Sequence, residues 1–180
     1  MTRSLIALAL AAAFSMSANA SDISYTYAEG GYVNFDGDHD GFGLRGSFNF
    51  GQSDFYGFAG YSQVEIDGTN VDIDSTNIGL GYHHALSERA HLLAELSYVN
   101  ADAGIIDLDG YRASVGVRGA FSDHVEGVLK ANYTDGSDLD GDVSGTAGLL
   151  VKFNPTWGIS GEVEFADGGE TYMLGLRASF

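Results

Sequence analysis

The chain lacks cysteine altogether and has a single proline among its 180 residues. Without cysteine there is neither a disulfide framework nor a thiolate metal site. No run of about 18 apolar residues follows the N-terminal stretch, which argues against a helical membrane protein. Glycine, in contrast, occurs 26 times, without the every-third spacing of collagen. Many glycines within alternating aromatic segments are typical of a sheet that bends and closes.

The N-terminus has the features of a secretory signal. Arg3 gives a short positive start, Leu5–Phe14 is apolar, and Ala18–Ala20 fits an A-x-A cleavage site. We therefore predict a cleaved signal peptide at 1–20 and one domain at 21–180. An uncleaved anchor helix is the alternative, but the apolar stretch is too short to span a bilayer comfortably.

The remainder divides into segments in which apolar and polar residues alternate, each close to the ~9–11 residues of a tilted membrane-spanning strand. The ten segments are 23–33, 41–50, 55–66, 75–84, 90–100, 110–121, 124–134, 143–153, 157–166 and 170–180. Short connections are predicted at 51–54, 85–89, 122–123 and 154–156. Longer connections, rich in Asp and Gly, are predicted at 34–40, 67–74, 101–109, 135–142 and 167–169.

The last nine residues, Tyr172–Phe180, show the alternation most clearly. They resemble the C-terminal assembly signal of bacterial outer-membrane proteins, which ends in Phe, so Tyr172 and Phe180 are candidate contacts for the barrel assembly machinery. Alternating short and long connections are typical of outer-membrane barrels. We predict an all-β, transmembrane, antiparallel up-and-down barrel of ten strands with both termini periplasmic. Eight strands, or a soluble β-sandwich, are the alternatives.

Within the segments one face is apolar and the other carries the charges. Phe42, Leu44 and Phe48 alternate with Gly43, Arg45 and Ser47, for example. Tyr and Trp near segment ends suit the aromatic girdles at the two membrane interfaces. The residues expected in these girdles are Tyr56, Tyr82, Tyr98, Tyr133, Trp157 and Tyr172.

The chain is acidic, with 25 Asp and Glu against 8 Lys and Arg. Most cations and most glutamates fall on the inward face, with Glu29 included only if its strand has the expected register. Charges inside a narrow barrel must pair, because an unpaired buried charge is costly. We therefore predict a salt-bridged lumen rather than an open channel, which generally needs ~16 strands. The predicted lumenal network is Arg45, Glu65, Glu95, Arg112, Arg118, Glu126, Lys130, Lys152, Glu162, Glu164 and Arg177.

The aspartates concentrate in the longer connections, with none assigned to the lipid face, and form a predicted acidic rim. Such a rim could bind divalent cations weakly together with lipopolysaccharide phosphates. Asp36–Gly41 matches the D-x-D-x-D-G opening of a calcium loop, but its twelfth position is Ser47 instead of Glu. Solvated loops are the plainer interpretation, and no resident metal is assigned. The rim residues are Asp36, Asp38, Asp40, Asp107, Asp109, Asp138, Asp140 and Asp142.

The histidines offer little for catalysis. His39, between two aspartates, is the candidate for a protease-like rim site. Four others map to the periplasmic strand ends, where a metal-binding cluster is an alternative to plain interface residues. We predict no enzyme activity, no cofactor and no nucleic-acid partner. These four histidines are His83, His84, His91 and His124.

The stretch Ser24–Val33, followed by an Asp-rich connection and Gly41–Ser47, is similar to the start of a small outer-membrane family of xanthomonads and relatives. That family carries the label "sulfation-dependent quorum factor". The resemblance implies an outer-membrane barrel of a Gram-negative bacterium that can leave the cell in vesicles and is linked to motility, biofilm and virulence. The sequence therefore favours a non-enzymatic surface or structural barrel, with a narrow porin as the alternative.

Overall fold

The computed structural model describes residues 23–37, 39–65, 72–104, 107–136 and 139–180, with the side chains of 139 and 140 left aside. The predicted signal peptide, 1–20, lies outside the described residues. Ten β-strands account for most of the described chain. They are β1 Tyr27–Phe35, β2 His39–Asn49, β3 Phe55–Glu65, β4 Asp72–Ser87, β5 Ala90–Asp102, β6 Asp107–Ser122, β7 Val125–Gly136, β8 Leu139–Lys152, β9 Trp157–Ala166 and β10 Gly169–Ser179.

The strands form one closed barrel in which each strand pairs with its neighbours along the chain. Closure occurs between β1 and β10, which pair antiparallel from Tyr27 opposite Ser179 to Phe35 opposite Thr171. Because the barrel is closed, no sheet edge is left with unpaired backbone groups. A strand within a lipid bilayer requires this complete pairing. The predicted ten-stranded, antiparallel up-and-down barrel is confirmed, and the eight-stranded and sandwich alternatives are wrong.

The barrel has two distinct ends. The terminal end holds Ile23–Thr26, Phe180 and the connections at 50–54, 88–89, 123–124 and 153–156, and the loop end holds the other connections. The connections at the loop end are shorter than predicted, so the predicted boundaries of the long acidic loops are wrong. The strands run further than their hydrophobic pattern does, up to 16 residues in β4 and β6, so most predicted loop residues belong to ladders. Backbone pairing continues past the apolar band because hydrogen bonding does not depend on side-chain polarity.

The predicted first strand begins four residues too early. Residues 23–26 are not part of β1, and the segment instead contacts inward residues at the terminal end, with Tyr25 stacked on His83 and the backbone oxygen of Ser24 bound by Arg118. Ser24 Oγ donates to the backbone oxygen of Phe180 at 2.8 Å, and the backbone N–H of Phe180 donates to the oxygen of Thr26 at 2.9 Å. These bonds join the segment that precedes β1 to the last residue of the chain.

Alternation sorts the side chains as the sequence indicates. Outward positions carry large apolar side chains that remain exposed, such as Leu44 (55%), Ile78 (60%) and Val115 (62%). A continuous exposed apolar band of this kind is unfavourable in water and suits hydrocarbon. The described residues contain no helix long and apolar enough to cross a membrane.

Candidate functional site in the barrel lumen

Four charged side chains meet at the centre of the lumen. Arg45, on β2, contacts both Glu29 and Glu162, and its Nε lies 3.1 Å from Oε1 of Glu29. Arg177, on β10, contacts the other oxygen of Glu29, whose side chain is fully buried. β1 pairs with both β2 and β10, so Glu29 has Arg45 opposite it on one side and Arg177 on the other. The charge-assisted hydrogen bonds from two guanidinium groups offset the desolvation cost of burying this carboxylate.

A second cluster lies beside the first. Lys130 Nζ is 3.2 Å from Oε2 of Glu95, and the hydroxyl of Tyr56 donates to Oε1 of the same carboxylate at 2.6 Å. The ring of Tyr56 lies directly over Gly81, the residue opposite it on β4. A methyl group at position 81 would stand 2.1 Å from Cζ of this ring, so only glycine leaves room for it.

A third cluster occupies the terminal half. Arg118 Nη2 lies 2.6 Å from Oε2 of Glu126, and Lys152 contacts the other oxygen of that carboxylate. The side chain of Glu126 is 3% exposed and those of the two cations 9% and 12%. Arg118 also donates to the backbone oxygen of Ser24 at 3.0 Å, which ties this cluster to the segment before β1.

Aromatic rings fill the terminal end of the lumen. Tyr25 is 6% exposed and is stacked on His83, with ring centroids 4.0 Å apart. Its hydroxyl lies 3.0 Å from Nδ1 of His91, and the guanidinium of Arg118 stands 5.1 Å from the ring centroid. Burial raises the pKa of Tyr25, so its hydroxyl stays protonated. Tyr25 also packs against Tyr56, so the terminal end of the lumen is filled.

The loop half of the lumen contains a cavity of about 470 Å³. Arg45 and Glu162 lie among its deepest residues, and Arg112 and Glu164 form one wall with an N–O distance of 3.1 Å. The side chains of Arg112 and Glu164 are 33% and 25% exposed, so water reaches this cavity. Thr134 accepts from Arg112 Nε at 2.9 Å and Ser144 donates to Glu164 at 2.7 Å, which fixes the wall.

One predicted member of the network is misplaced. Glu65 lies at the loop end of β3, exposed, on the outward face that it shares with Tyr61 and Phe55. The prediction that it points into the lumen is wrong, because an unbroken alternation from Phe55 leaves Val64 inside. Glu29, whose inward position depended on the register of its strand, is inside. All the other predicted network residues have inward positions and ion-pair partners in the structure.

The acidic rim is distributed differently from the prediction. Asp36 lies in the β1–β2 turn, whereas Asp40, Asp107 and Asp109 lie on strands at outward positions, so the expectation that no aspartate shares the lipid-side face is wrong. Asp142 points inward from β8 and lines the cavity. Asp38 and Asp138 lie outside the described residues, and only the backbone of Asp140, in β8, is described.

Outward tyrosines at the loop end donate to carboxylates. Tyr32 donates to Asp40, Tyr61 to Asp74 and Tyr172 to Glu170. In the calcium-like motif, Asp40 is therefore bound to Tyr32, while Asp36 accepts the backbone N–H of Glu170 at 3.0 Å. The first and fifth positions of the motif point to separate partners, so a calcium loop is not formed by them.

The histidines and one tyrosine differ from the sequence interpretation. His83 and His91 stack inside the lumen, His84 lies on the outward face beside Tyr82, and His124 lies exposed in a turn. His39 stacks on Phe35. Tyr56, expected in a girdle, is 3% exposed and inside. In the described part of the chain, no three or more His, Asp or Glu side chains are grouped to hold a metal ion.

The inward aromatic residues had one signal in the sequence. Tyr56 and His83 are out of phase with the apolar residues of their own segments, since Phe55 and Tyr82 occupy the outward positions beside them. Tyr25 had no such signal, because it precedes the first ladder and its position depends on the tertiary fold.

The fold is similar to that of a solved KdgM porin, with a TM-score of 0.54, 14% sequence identity, and coverage of 86% of this chain and 99% of the porin. A KdgM porin in complex with disordered oligogalacturonate gives the same values. The outer membrane protein Ail of Yersinia pestis, in a phospholipid bilayer nanodisc, aligns with a TM-score of 0.44 and 17% identity, over 87% of this chain and 99% of Ail. No family model matches the chain, and no curated protein matches it significantly. The closed barrel, its apolar outward face and the likeness to KdgM porin together show a β-barrel fold of the outer-membrane type.

Proposed function

We propose that this protein is a non-enzymatic barrel of the Gram-negative outer membrane that does not conduct solutes and acts from its extracellular side. In this proposal both termini and the terminal end face the periplasm, and the loop end faces the medium. The observation that carries it is the filled terminal half, where Glu126, its two cations and Tyr25 occupy the lumen.

The three clusters of paired charge occupy the lumen from the base of the loop-end cavity to the terminal half. A solute crossing the barrel would have to separate Arg45 from Glu29 and Arg118 from Glu126, both largely buried. Separating one buried pair leaves an uncompensated charge and costs several kcal/mol, on the order of 3–5. A solute that must separate several such pairs in turn therefore does not cross the barrel at a measurable rate.

The test is conductance of the refolded protein in planar bilayers. We expect no stable conductance steps from the wild type. A matched pair of variants, Glu126→Ala in the filled half and Glu164→Ala at the cavity, locates the barrier: only the first should create leakage. Steady wild-type conductance that changes ion selectivity in Arg45, Arg112 or Glu126 variants would contradict the proposal.

A narrow porin is the second candidate. The cavity of about 470 Å³ already occupies the loop half of the lumen, and the fold is that of KdgM porin. In that case the three clusters would line a constriction instead of a barrier. The same bilayer recording decides between the two functions, because a porin gives wild-type conductance without mutation.

The remaining expectations follow from location. We propose that the outward apolar band contacts outer-membrane lipid and lipopolysaccharide, with weak divalent-cation binding at the loop-end acids, and that Tyr172 and Phe180 are read by the barrel assembly machinery. Release in vesicles and a link to biofilm or virulence rest on the resemblance of Ser24–Val33 and Gly41–Ser47 to the xanthomonad family. The loop-end cavity is the proposed place for an extracellular ligand to bind.

A further inference from the structure

The loop-end cavity is larger than a filled lumen requires. Its volume of about 470 Å³ falls within the ~300–1,000 Å³ of pockets that hold small organic ligands. An ion-pair network without a ligand role would be expected to close over such a space, as the clusters of the terminal half do. The cavity therefore has room for a molecule, and its lining indicates which kind.

The fixed charges of the lining leave a surplus of one carboxylate. Arg112 is balanced by Glu164, and Arg45 is shared between Glu162 and the deeper Glu29. Asp142 has no ion pair in the described part of the chain. Its Oδ1 accepts the backbone N–H of Val143 at 2.8 Å, which leaves the second oxygen for a donor from the cavity.

The surroundings of the cavity carry the same sign of charge. Exposed carboxylates lie on the outward face of the strands at the loop end, including Asp40, Asp72, Asp102, Asp107 and Asp135. Carboxylates around a low-dielectric cleft raise the local concentration of cations and repel anions. An anionic ligand would approach this acidic end of the barrel and then compete with Glu162 and Glu164 for guanidinium groups that are already paired.

The lining also includes apolar side chains. Val33, Leu108 and Met173 line the cavity together with Thr134 and Ser144, whose hydroxyl groups bond to Arg112 and Glu164. A ligand with methylene groups can bury them there while an ammonium group reaches Asp142. The combination of a free carboxylate oxygen, hydroxyls and an apolar wall matches an organic amine better than a bare metal ion.

We propose that the loop-end cavity binds a small organic cation, with its ammonium group at Asp142 and its hydrocarbon part against Met173 and Leu108. Occupation from the medium rests on the proposed orientation, but binding itself requires only the folded barrel. It holds whether or not the lumen conducts, so failure of one proposal leaves the other standing.

The experiment is calorimetric titration of the refolded full barrel in zwitterionic detergent at low salt with three five-carbon probes. These are 1,5-diaminopentane, the matched dianion glutarate and the neutral 1,5-pentanediol. We expect saturable one-to-one binding of the diamine that is at least about tenfold tighter than that of the other two, because a charge-assisted hydrogen bond is lost with each.

Two variants with the same change of charge complete the test. Asp142→Asn should weaken diamine binding about tenfold, whereas Asp167→Asn, in the exposed β9–β10 turn outside the cavity, should change it less than about twofold. Heat-modifiable gel mobility shows that both variants are folded. Absence of saturable diamine binding, equal binding of glutarate, or equal effects of the two variants would overturn the proposal.

Discussion

Both halves of the lumen contain paired charges, but the halves differ in aromatic content and in packing. In the terminal half, Glu126 lies between Arg118 and Lys152 with almost no exposure, and the ring of Tyr25 covers the end. In the loop half, Arg112 and Glu164 are a third and a quarter exposed beside a cavity. The difference indicates that aromatic residues, more than charges, decide whether this barrel is filled.

The two halves also differ in how much their charge pairs contribute to the free energy of unfolding. A charge pair that is partly hydrated is worth about 0–1 kcal/mol, whereas removing one member of a buried pair costs about 3–5 kcal/mol. The same substitution is therefore expected to lower the free energy of unfolding several-fold more in the terminal half than in the loop half.

The largest effect is expected for Glu126→Gln. This change leaves Arg118 and Lys152 without their shared carboxylate, so the free energy of unfolding should fall by about 3–5 kcal/mol. Urea unfolding in lipid vesicles, followed by gel mobility, measures it. The matched change Glu164→Gln, at the hydrated wall, should cost about 1 kcal/mol or less. Equal losses would show that the two halves are equally buried in solution.

Tyr25→Ala comes next. It removes the ring that contacts Tyr56, His83 and Arg118, and a buried aromatic truncation costs about 3 kcal/mol. The same unfolding assay applies. Tyr25→Phe keeps the ring and loses only the hydroxyl contact with His91, so its cost should be about 1 kcal/mol. If the phenylalanine variant were as unstable as the alanine variant, the hydrogen bond and not the stacking would be responsible.

A smaller loss is expected for Gly81→Ala, at about 1–3 kcal/mol, because the added methyl group forces the Tyr56 ring away from Glu95. Gly161→Ala is the control, since a methyl group there meets no atom within 4 Å. Tyrosine fluorescence and unfolding of both variants check the prediction. Instability of the Gly161 variant alone would contradict this view of the packing.

The smallest effect on stability is expected for Phe180→Ala. The Phe180 side chain is 76% exposed, and its backbone bond to Thr26 survives the change, so unfolding should shift by less than about 0.5 kcal/mol. If Phe180 is read during assembly, the yield of folded barrel in cells should nevertheless fall. A stability loss as large as that of Tyr25→Ala would assign Phe180 a packing role instead.

Much of the fold could be predicted because strand alternation is a local property. Phe42, Leu44 and Phe48 alternate with polar residues regardless of what lies opposite, and a closed barrel needs only that pattern repeated. The ends of the strands were harder to predict from the sequence. Asp107 and Asp142 are polar residues that nevertheless stay in their ladders, because backbone pairing extends beyond the apolar band.

The amino-acid sequence by itself determined strands with an apolar outward face and a charged inward face, since both faces follow from residues two positions apart. Its favoured count of ten strands is the observed one. Only the tertiary structure decided which charges meet and that Tyr25 fills one end while the other keeps a cavity. Those outcomes depend on register between strands and on a segment outside any strand, and neither is encoded in a local pattern.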